Sequence, residues 1–374
     1  MKPGTPRGLR HLDGELEIAA QAGLLRCRVR PTPAARVSFC SNDYLGLAGR
    51  PSPPSVCGAG ASRLVDGDRE VHAELEQASA AWVGQPAALA FSSGYAANLG
   101  LLSALAGPGD LIVSDALNHA SIVDGARLSR AEVAVVPHLD VGAVEDTLAQ
   151  RRGRARRAFV VTEAYFSMDA DSPDLGRLRR ACDAHDATLV VDEAHALGVL
   201  GPHGRGLCAE HGIEADALVG TYGKAFGAAG AFVAGCSALV DWLWNRSRSF
   251  VFSTGLSPAV ASAALQGLDS ARAEPQLRES VLSSASRLRD GLQSAGVVAR
   301  GYGHIVPWVI GDARDAVRVA DALREQGIDV RPIRPPSVPS GSARLRLTVT
   351  ASHRGSDIER AVEAIRRVSR GQAP

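Results

Sequence analysis

From about residue 70 the chain alternates between two hydrophobic rhythms. Segments with apolar residues every three or four positions predict helices at 70–82, 94–106, 120–129, 141–150 and 174–185. Short apolar runs between them predict strands at 87–92, 111–114, 132–137, 158–163 and 188–192. Runs such as Leu189-Val190-Val191 lack polar alternation, which suits strands covered on both faces, and the intervening helices imply a mostly parallel sheet. Upstream, residues 11–25 read as a helix leading into an extended segment, 28–40, and residues 49–62 are rich in Pro, Ser and Gly. After residue 256 the rhythm changes. Helices at 258–272 and 275–295 precede a shorter αβ unit with strand 305–310, helix 314–326, strand 344–349 and a closing helix at 355–369. The expected organisation is an N-terminal helix and extended segment over 1–45, a large sheet domain sandwiched by helices over 46–255, and a smaller α/β domain over 256–374.

Composition narrows the function classes. The chain has 374 residues, 41 basic against 40 acidic side chains, and 45% apolar residues. That balance argues against disorder, and it leaves no charge excess to steer the protein onto nucleic acid or a membrane surface. The uncharged stretch Trp82–Gly109 is interrupted by Pro86, Ser92, Ser93, Asn98 and Ser103, so strand-turn-helix fits it better than a membrane span. No apolar run follows the basic N-terminus, so no signal peptide is expected, and six scattered cysteines without a CxxC pair suggest reduced thiols in a cytoplasmic protein. The basic run Arg151–Arg157 carries no interleaved aromatics and reads as a solvated loop ahead of RNA binding. One number matters more. Only Lys2 and Lys224 are lysines, so 39 of the 41 basic residues are arginine. Codon bias explains the arginines, but any chemistry that needs an amine in the body of the chain has one candidate.

Parallel sheets present ligands at the carboxyl ends of their strands. Strand 87–92 ends in Ser92-Ser93-Gly94-Tyr95, a helix start whose exposed amides suit a phosphate; alone it would be an ordinary N-cap. Strand 111–114 leads to His119, by itself a weak signal. Strand 158–163 ends in Glu163 and the loop Tyr165–Asp169, and strand 188–192 ends in Asp192-Glu193-Ala194-His195. An acid closing an apolar strand is costly to bury unless it meets a cation. Asp192 and His195 could form half of a metal site, but no second pair has ligand spacing, so no metal is expected. A protonated heterocycle is the better partner. Lys224 lies in the apolar, glycine-rich Gly220–Gly227, surroundings that favour a nucleophilic amine. No P-loop is present, and Gly58-Ala59-Gly60 lacks the third glycine of a dinucleotide fingerprint. Together these are the parts of a pyridoxal phosphate site.

The motifs Ser41–Leu47 (SNDYLGL), Gly58–His72, Ser92–Asn98, Asn118–Ser121, Phe166–Asp169, Val191–His195 and Thr221–Lys224 span the chain. In these the sequence resembles the α-oxoamine synthases, fold-type-I pyridoxal phosphate transferases that condense an amino acid with an acyl thioester as homodimers. The resemblance implies Lys224 as the cofactor lysine and Asp192 as the acid on the pyridine nitrogen. His195 and Ser167 would address the phenolic oxygen, and His119 would stack on the ring. Ser93, Gly94, Tyr95 and Thr221 would hold the phosphate, with Ser253 and Thr254 contributed across the dimer. Arg26, Asn42, His119, Arg334, Ser337 and Arg346 match substrate positions, Arg346 as partner of the amino acid carboxylate. Ile333–Pro339 ahead of Arg344–Thr348 points to the branch that joins L-alanine to a pimeloyl thioester, on coenzyme A or acyl carrier protein, for biotin biosynthesis. Sister activities with glycine or serine, such as glycine C-acetyltransferase, and a non-catalytic scaffold remain alternatives. Asp66 stands where relatives carry Ser, and Ala164-Tyr165 and Ala170 depart from the usual pattern around Phe166–Asp169; a negative Asp66 at an acyl entrance would disfavour an anionic carrier.

Overall fold

The computed structural model describes residues 9, 11–26 and 36–371. Its elements, in chain order, begin with α1 (His11–Gln21), β1 (Val37–Ser38), α2 (Glu70–Val83), β2 (Ala87–Phe91), α3 (Gly94–Leu105), β3 (Leu111–Asp115) and α4 (Ala120–Ser129). Then follow β4 (Glu132–Val136), α5 (Val141–Arg151), β5 (Ala158–Glu163), α6 (Leu175–Ala184), β6 (Thr188–Asp192) and a single turn, α7 (Leu207–Glu210). Next are β7 (Ala217–Thr221), β8 (Ala231–Gly235), α8 (Ser237–Arg246), α9 (Arg248–Val251), α10 (Pro258–Ala273) and α11 (Pro275–Ser294). The last are β9 (Ile305–Gly311), α12 (Ala313–Glu325), β10 (Ile328–Asp329), β11 (Pro332–Ile333), β12 (Ala343–Thr348) and α13 (Gly355–Gly371). The extended segment expected at 28–40 lies largely outside the described residues; only its end forms β1.

Two compact units result. The larger comprises Asn42–Ser167 and Asp171–Val281. Its seven-stranded sheet has the order β2-β8-β7-β6-β5-β3-β4, in which β8 alone runs antiparallel to its neighbours. From β3 the chain goes outward to β4, then crosses to the other side of β3 through β5, β6 and β7. The reversal of winding therefore falls between β3 and β5, where open α/β sheets place their ligands. Leu101, Leu102 and Ile122 of α3 and α4 pack with Ile112, Phe159, Val190 and Val233 of the sheet, all 1% exposed or less except Phe159. Edge strand β4 alone alternates, leaving Val133 and Val135 on the exposed side.

The sequence suggested a boundary at 255/256, whereas the larger unit continues to Val281. Two contacts show why α10 stays with it. The Leu256 carbonyl pairs with the buried His72 ring at 2.7 Å. A Cβ on Gly267 of α10 would stand 2.0 Å from the Phe226 carbonyl oxygen, so only glycine allows the helix this close. The strands β7 and β8, which the sequence reading did not assign, complete the sheet.

The smaller unit comprises the described residues up to Ser41, Met168–Ala170 and Leu282 onward. An antiparallel sheet, β11-β12-β9, packs Leu345, Leu347 and Val306 against Leu288, Leu323 and Ile365 of its helices. β1 pairs in parallel with β10, and Phe39 stacks on His353 at 4.3 Å. The tripeptide Met168–Ala170 is held in this unit by Arg344, which donates to the Met168 carbonyl at 2.9 Å and to the Asp169 carboxylate at 2.5 Å.

Candidate active site

Five strands of the larger unit end along one edge, and each contributes a polar group there. After β2, Ser93 caps α3: its hydroxyl accepts the Ala96 amide at 3.1 Å and its carbonyl accepts that of Ala97. The amides of Gly94 and Tyr95 belong to the first turn and have no intrahelical acceptor. A Cβ on Gly94 would meet nothing within 4 Å, so this helix start opens onto free space. The sequence's two readings of SSGY are thus compatible, because the cap uses different amides from those an anion would need. The Tyr95 phenol donates to Asp124 of α4.

After β3, the turn Asp115–His119 delivers His119, whose amide donates to Glu163 at 2.8 Å. Its Nδ1 pairs with the Ser121 hydroxyl at 2.7 Å. That hydroxyl accepts from Asn98, and the same Asn98 amide donates to Asp192 Oδ2 at 2.7 Å. The other oxygen of Asp192 accepts the Ala194 amide at 2.8 Å. A continuous hydrogen-bonded path thus joins His119 to Asp192 through Ser121 and Asn98. Burial lowers the pKa of His119, with the positive charge of Lys224 acting the same way and Asp192 opposing it. A neutral imidazole is the form favoured at this place.

Glu163 and Asp192 are register partners at the ends of β5 and β6. Glu163 is buried; desolvation and the charge of Asp192 push its carboxyl up to about 8, while Lys224 and the His119 amide pull it down. Lys224, after β7, therefore lies within electrostatic reach of His119 and Glu163, as Asp192 also does. The structure brings His119, Asp192 and Lys224 together from the carboxyl ends of β3, β6 and β7.

His195 Nδ1 pairs with the Tyr44 hydroxyl at 2.7 Å, and both side chains are buried. Tyr44 in turn donates weakly to Asn42 at 3.4 Å. The hydroxyl of Thr221 is committed within its own turn, donating to the Gly230 carbonyl at 3.0 Å and accepting the Gly223 amide. Ser167 is buried; Ser253 is partly exposed and Thr254 exposed. Neighbouring Glu193 is buried completely, accepting the amides of Leu207 at 3.0 Å and Cys208 at 2.6 Å, with burial pushing its carboxyl up to about 7. Around it runs a loop of left-handed glycines, Gly198, Gly201, Gly204 and Gly206.

Arg26, Arg334, Ser337 and Arg346 belong to the smaller unit. Arg26 and Ser337 come together, the guanidinium 3.4 Å from the hydroxyl. Arg334 donates to the carbonyls of Gly23 and Leu25, so it secures the segment that carries Arg26. Arg346 is half-buried on β12, on the same side as Arg344. Asp66 is exposed, with Arg69 3.7 Å away to offset its charge. Sequence reasoning did not select Asn98, Ser121, Glu163 or Tyr44 as site residues. Asn98 and Tyr44 lie inside quoted motifs, and Glu163 closes an apolar strand as Asp192 does; those were the available signals. Among the described residues no helix is long and apolar enough to cross a membrane.

An amine, an acid at a strand end, two imidazoles and a helix start with free amides form the donor set of a pyridoxal phosphate site. The family model for class I and II aminotransferases matches residues 35–365. The fold is that of the fold-type-I pyridoxal phosphate transferases. An 8-amino-7-oxononanoate synthase from Geotalea daltonii is 44% identical, covering 95% of this chain and 97% of its own. The chain belongs to the 8-amino-7-oxononanoate synthase family of pyridoxal phosphate-dependent acyltransferases. Among solved structures, the serine palmitoyltransferase of Sphingomonas wittichii superposes with a TM-score of 0.90 at 28% identity, covering 98% of each chain. An 8-amino-7-oxononanoate synthase from Francisella tularensis superposes with a TM-score of 0.76 at 26% identity, covering 91% of this chain and 100% of that one.

Proposed function

We propose that the protein condenses L-alanine with a pimeloyl thioester, on coenzyme A or acyl carrier protein, to give 8-amino-7-oxononanoate, carbon dioxide and free thiol in biotin biosynthesis. The observation that carries this reading is the contrast in identity: 44% to the Geotalea synthase against 28% to the serine palmitoyltransferase, each over nearly the whole chain. Pyridoxal phosphate supplies an electron sink for the negative charge developed at the amino acid's Cα. Lys224 would hold the cofactor and would serve as the general base for the Cα proton. Asp192, fixed by Asn98 and the Ala194 amide, would keep a proton on the ring nitrogen. His119, favoured in its neutral form, would lie against the ring, and His195, oriented by Tyr44, would serve the phenolic oxygen together with Ser167. Ser93, Gly94 and Tyr95 would hold the phosphate, whereas Thr221, expected to join them, has its hydroxyl proton committed to the Gly230 carbonyl. Arg346 binds the substrate carboxylate, for which a guanidinium fork is well shaped. Arg26, Asn42 and Ser337 contact substrate, while Arg334 acts through the Gly23–Leu25 carbonyls it holds.

The test is a steady-state comparison of L-alanine, glycine and L-serine, each with pimeloyl-, acetyl- and palmitoyl-CoA. The expected result is highest kcat/KM for L-alanine with the pimeloyl thioester. Glycine with acetyl-CoA, or serine with palmitoyl-CoA, as the best pair would overturn the assignment.

The same reading makes the protein a homodimer, with Ser253 and Thr254 reaching the phosphate of a second copy. Its support is local. The Gly255 amide donates to the Ala61 carbonyl and the Ala259 amide to the Val56 carbonyl, so 56–65 and 252–259 are neighbouring segments. They expose Val56, Val65 and Phe252, at 69%, 79% and 71% respectively, an apolar surface that suits burial in an interface. Sedimentation of the holoenzyme should give a dimer at micromolar concentration; a persistent monomer with full activity would remove the shared-site reading.

A further inference from the structure

We propose that His138, bridging Asp115 and Asp171, is a positioning residue that sets the two loops carrying His119 and Ser167. The inference rests on the assignment of those two side chains to the cofactor, and it concerns the place where the winding of the sheet reverses.

His138 lies just after β4, at the same carboxyl edge as the site. Its Nδ1 is 2.9 Å from Asp115 Oδ1 and its Nε2 is 3.3 Å from both oxygens of Asp171. Asp115 ends β3 and builds the turn that follows: its Oδ1 also accepts the Leu117 amide and its Oδ2 the Leu139 amide, both at 2.8 Å. Two residues after Leu117 comes His119. Asp171 lies four residues beyond Ser167, and its carbonyl accepts the Phe166 amide at 2.9 Å, closing that loop on itself. The Phe166 and His138 rings pack edge to face, their centroids 4.5 Å apart and their planes at 87°. One imidazole thus pins the loops after β3 and β5 to the start of the segment after β4.

Both ring nitrogens face carboxylate oxygens, so both must donate, and only the imidazolium has two N–H groups. Burial alone would lower the pKa of His138. The hydrogen bonds and charges of Asp115 and Asp171 outweigh it and raise the value to about 9. The charged groups facing the ring are Asp115 at the end of β3 and Asp171 in the loop after β5; on its own segment, Asp140 is occupied in capping α5. Because the folded value is raised, the contribution of the clasp is complete below the ordinary histidine value near 6.5 and is lost as the pH rises through about 9. At neutral pH the two loops are held. In alkali they are released from each other.

The test is cofactor affinity, read from cofactor absorbance on reconstitution, from about pH 7 to about pH 10, for wild type, His138→Gln, Asp171→Asn and the double variant. At neutral pH, His138→Gln should weaken affinity roughly 10- to 100-fold, the scale of a lost charged hydrogen-bond pair. Wild-type affinity should fall above about pH 9, a break that His138→Gln should lack and that Asp171→Asn should shift to lower pH. Any break belonging to Lys224 is common to all four proteins. The double variant should be no weaker than His138→Gln, because both changes remove one clasp. Asp171 is partly exposed, so Asp171→Asn keeps the proposal testable if the histidine variant does not fold. Unchanged affinity in both single variants, identical pH profiles, or strictly additive losses would overturn it. His119→Ala and Ser167→Ala run in parallel separate the two readings. If these leave affinity unchanged, the site assignment falls. If they weaken it while His138→Gln does not, the clasp falls.

Discussion

Replacing Lys224 by alanine is expected to abolish turnover and, with it, the visible absorbance of covalently held cofactor. The side chain is asked to do two things, to bind the cofactor aldehyde and to move the Cα proton, and no other amine can take over. The second lysine of the chain, Lys2, is at the N-terminus, and every remaining basic side chain is arginine or histidine. Proton transfer by a placed base contributes roughly 10²- to 10⁴-fold on its own. Adding the loss of covalent attachment, the fall in kcat should exceed about 10⁴-fold. The variant should fold normally, because Lys224 is only half-buried and the Thr221–Gly230 turn around it is held by backbone and hydroxyl contacts. Titrating the purified variant with cofactor and recording its spectrum and its rate with L-alanine and a pimeloyl thioester is the check. Residual activity within tenfold of wild type would show that the amine is not the base.

The second large effect is expected at Asp192. Asparagine has the same shape but carries no charge, and its single oxygen can accept from only one of the two donors, Asn98 and the Ala194 amide, that now bond to separate oxygens of Asp192. Removing one partner of a buried ion pair costs about 3–5 kcal/mol, and at about 1.4 kcal/mol per tenfold this corresponds to roughly 10²- to 10⁴-fold in rate. Cofactor binding should persist, since the lysine and the phosphate site are untouched, while exchange of the alanine Cα proton with solvent deuterium should slow in step with turnover. A useful contrast is Asn98→Ala, which keeps the acid but strips a 2.7 Å donor from it. Leaving one buried oxygen unpaired costs about 1–3 kcal/mol, so this variant should lose less activity than Asp192→Asn. If the order were reversed, the role assigned to the charge would be wrong.

The reach of the sequence differs from one element to the next for physical reasons. Strands β5 and β6 were legible to the residue, because apolar runs such as Phe159–Val161 and Leu189–Val191 end sharply in Glu163 and Asp192. Helices α2 and α4 were nearly as clear. By contrast, β7 and β8 read ALVGT and AFVAG, short and rich in alanine and glycine, with too little β-branched character to stand out. The reversal of β8 has no local signature at all, since pairing direction is set by the connections and not by the pattern of a single strand. At the site, the sequence offers the groups that carry chemistry but not the groups that hold them. The hydrogen bond from Asn98 to Asp192 spans 94 positions of chain, and that from Tyr44 to His195 spans 151. Nothing in the spacing of residues encodes such a meeting; only the fold makes it.

The glycine loop beside the site has a consequence for the protein's future as well as its structure. A Cβ on Gly201 would stand 1.9 Å from the Gly206 carbonyl oxygen, and one on Gly206 would stand 2.6 Å from the Glu193 carboxylate. Gly198, Gly201, Gly204 and Gly206 all have φ between +72° and +90°, which side-chain-bearing residues resist. A side chain at any of these four glycines has nowhere to go, because the neighbours in the way are backbone, the Cβ of Ala225 or a carboxylate already fixed by two amides. In a randomised library the region should behave as a dead zone: nearly every survivor would retain the parental residue at all four glycines. Anyone seeking to widen what this enzyme accepts should spend the diversity elsewhere.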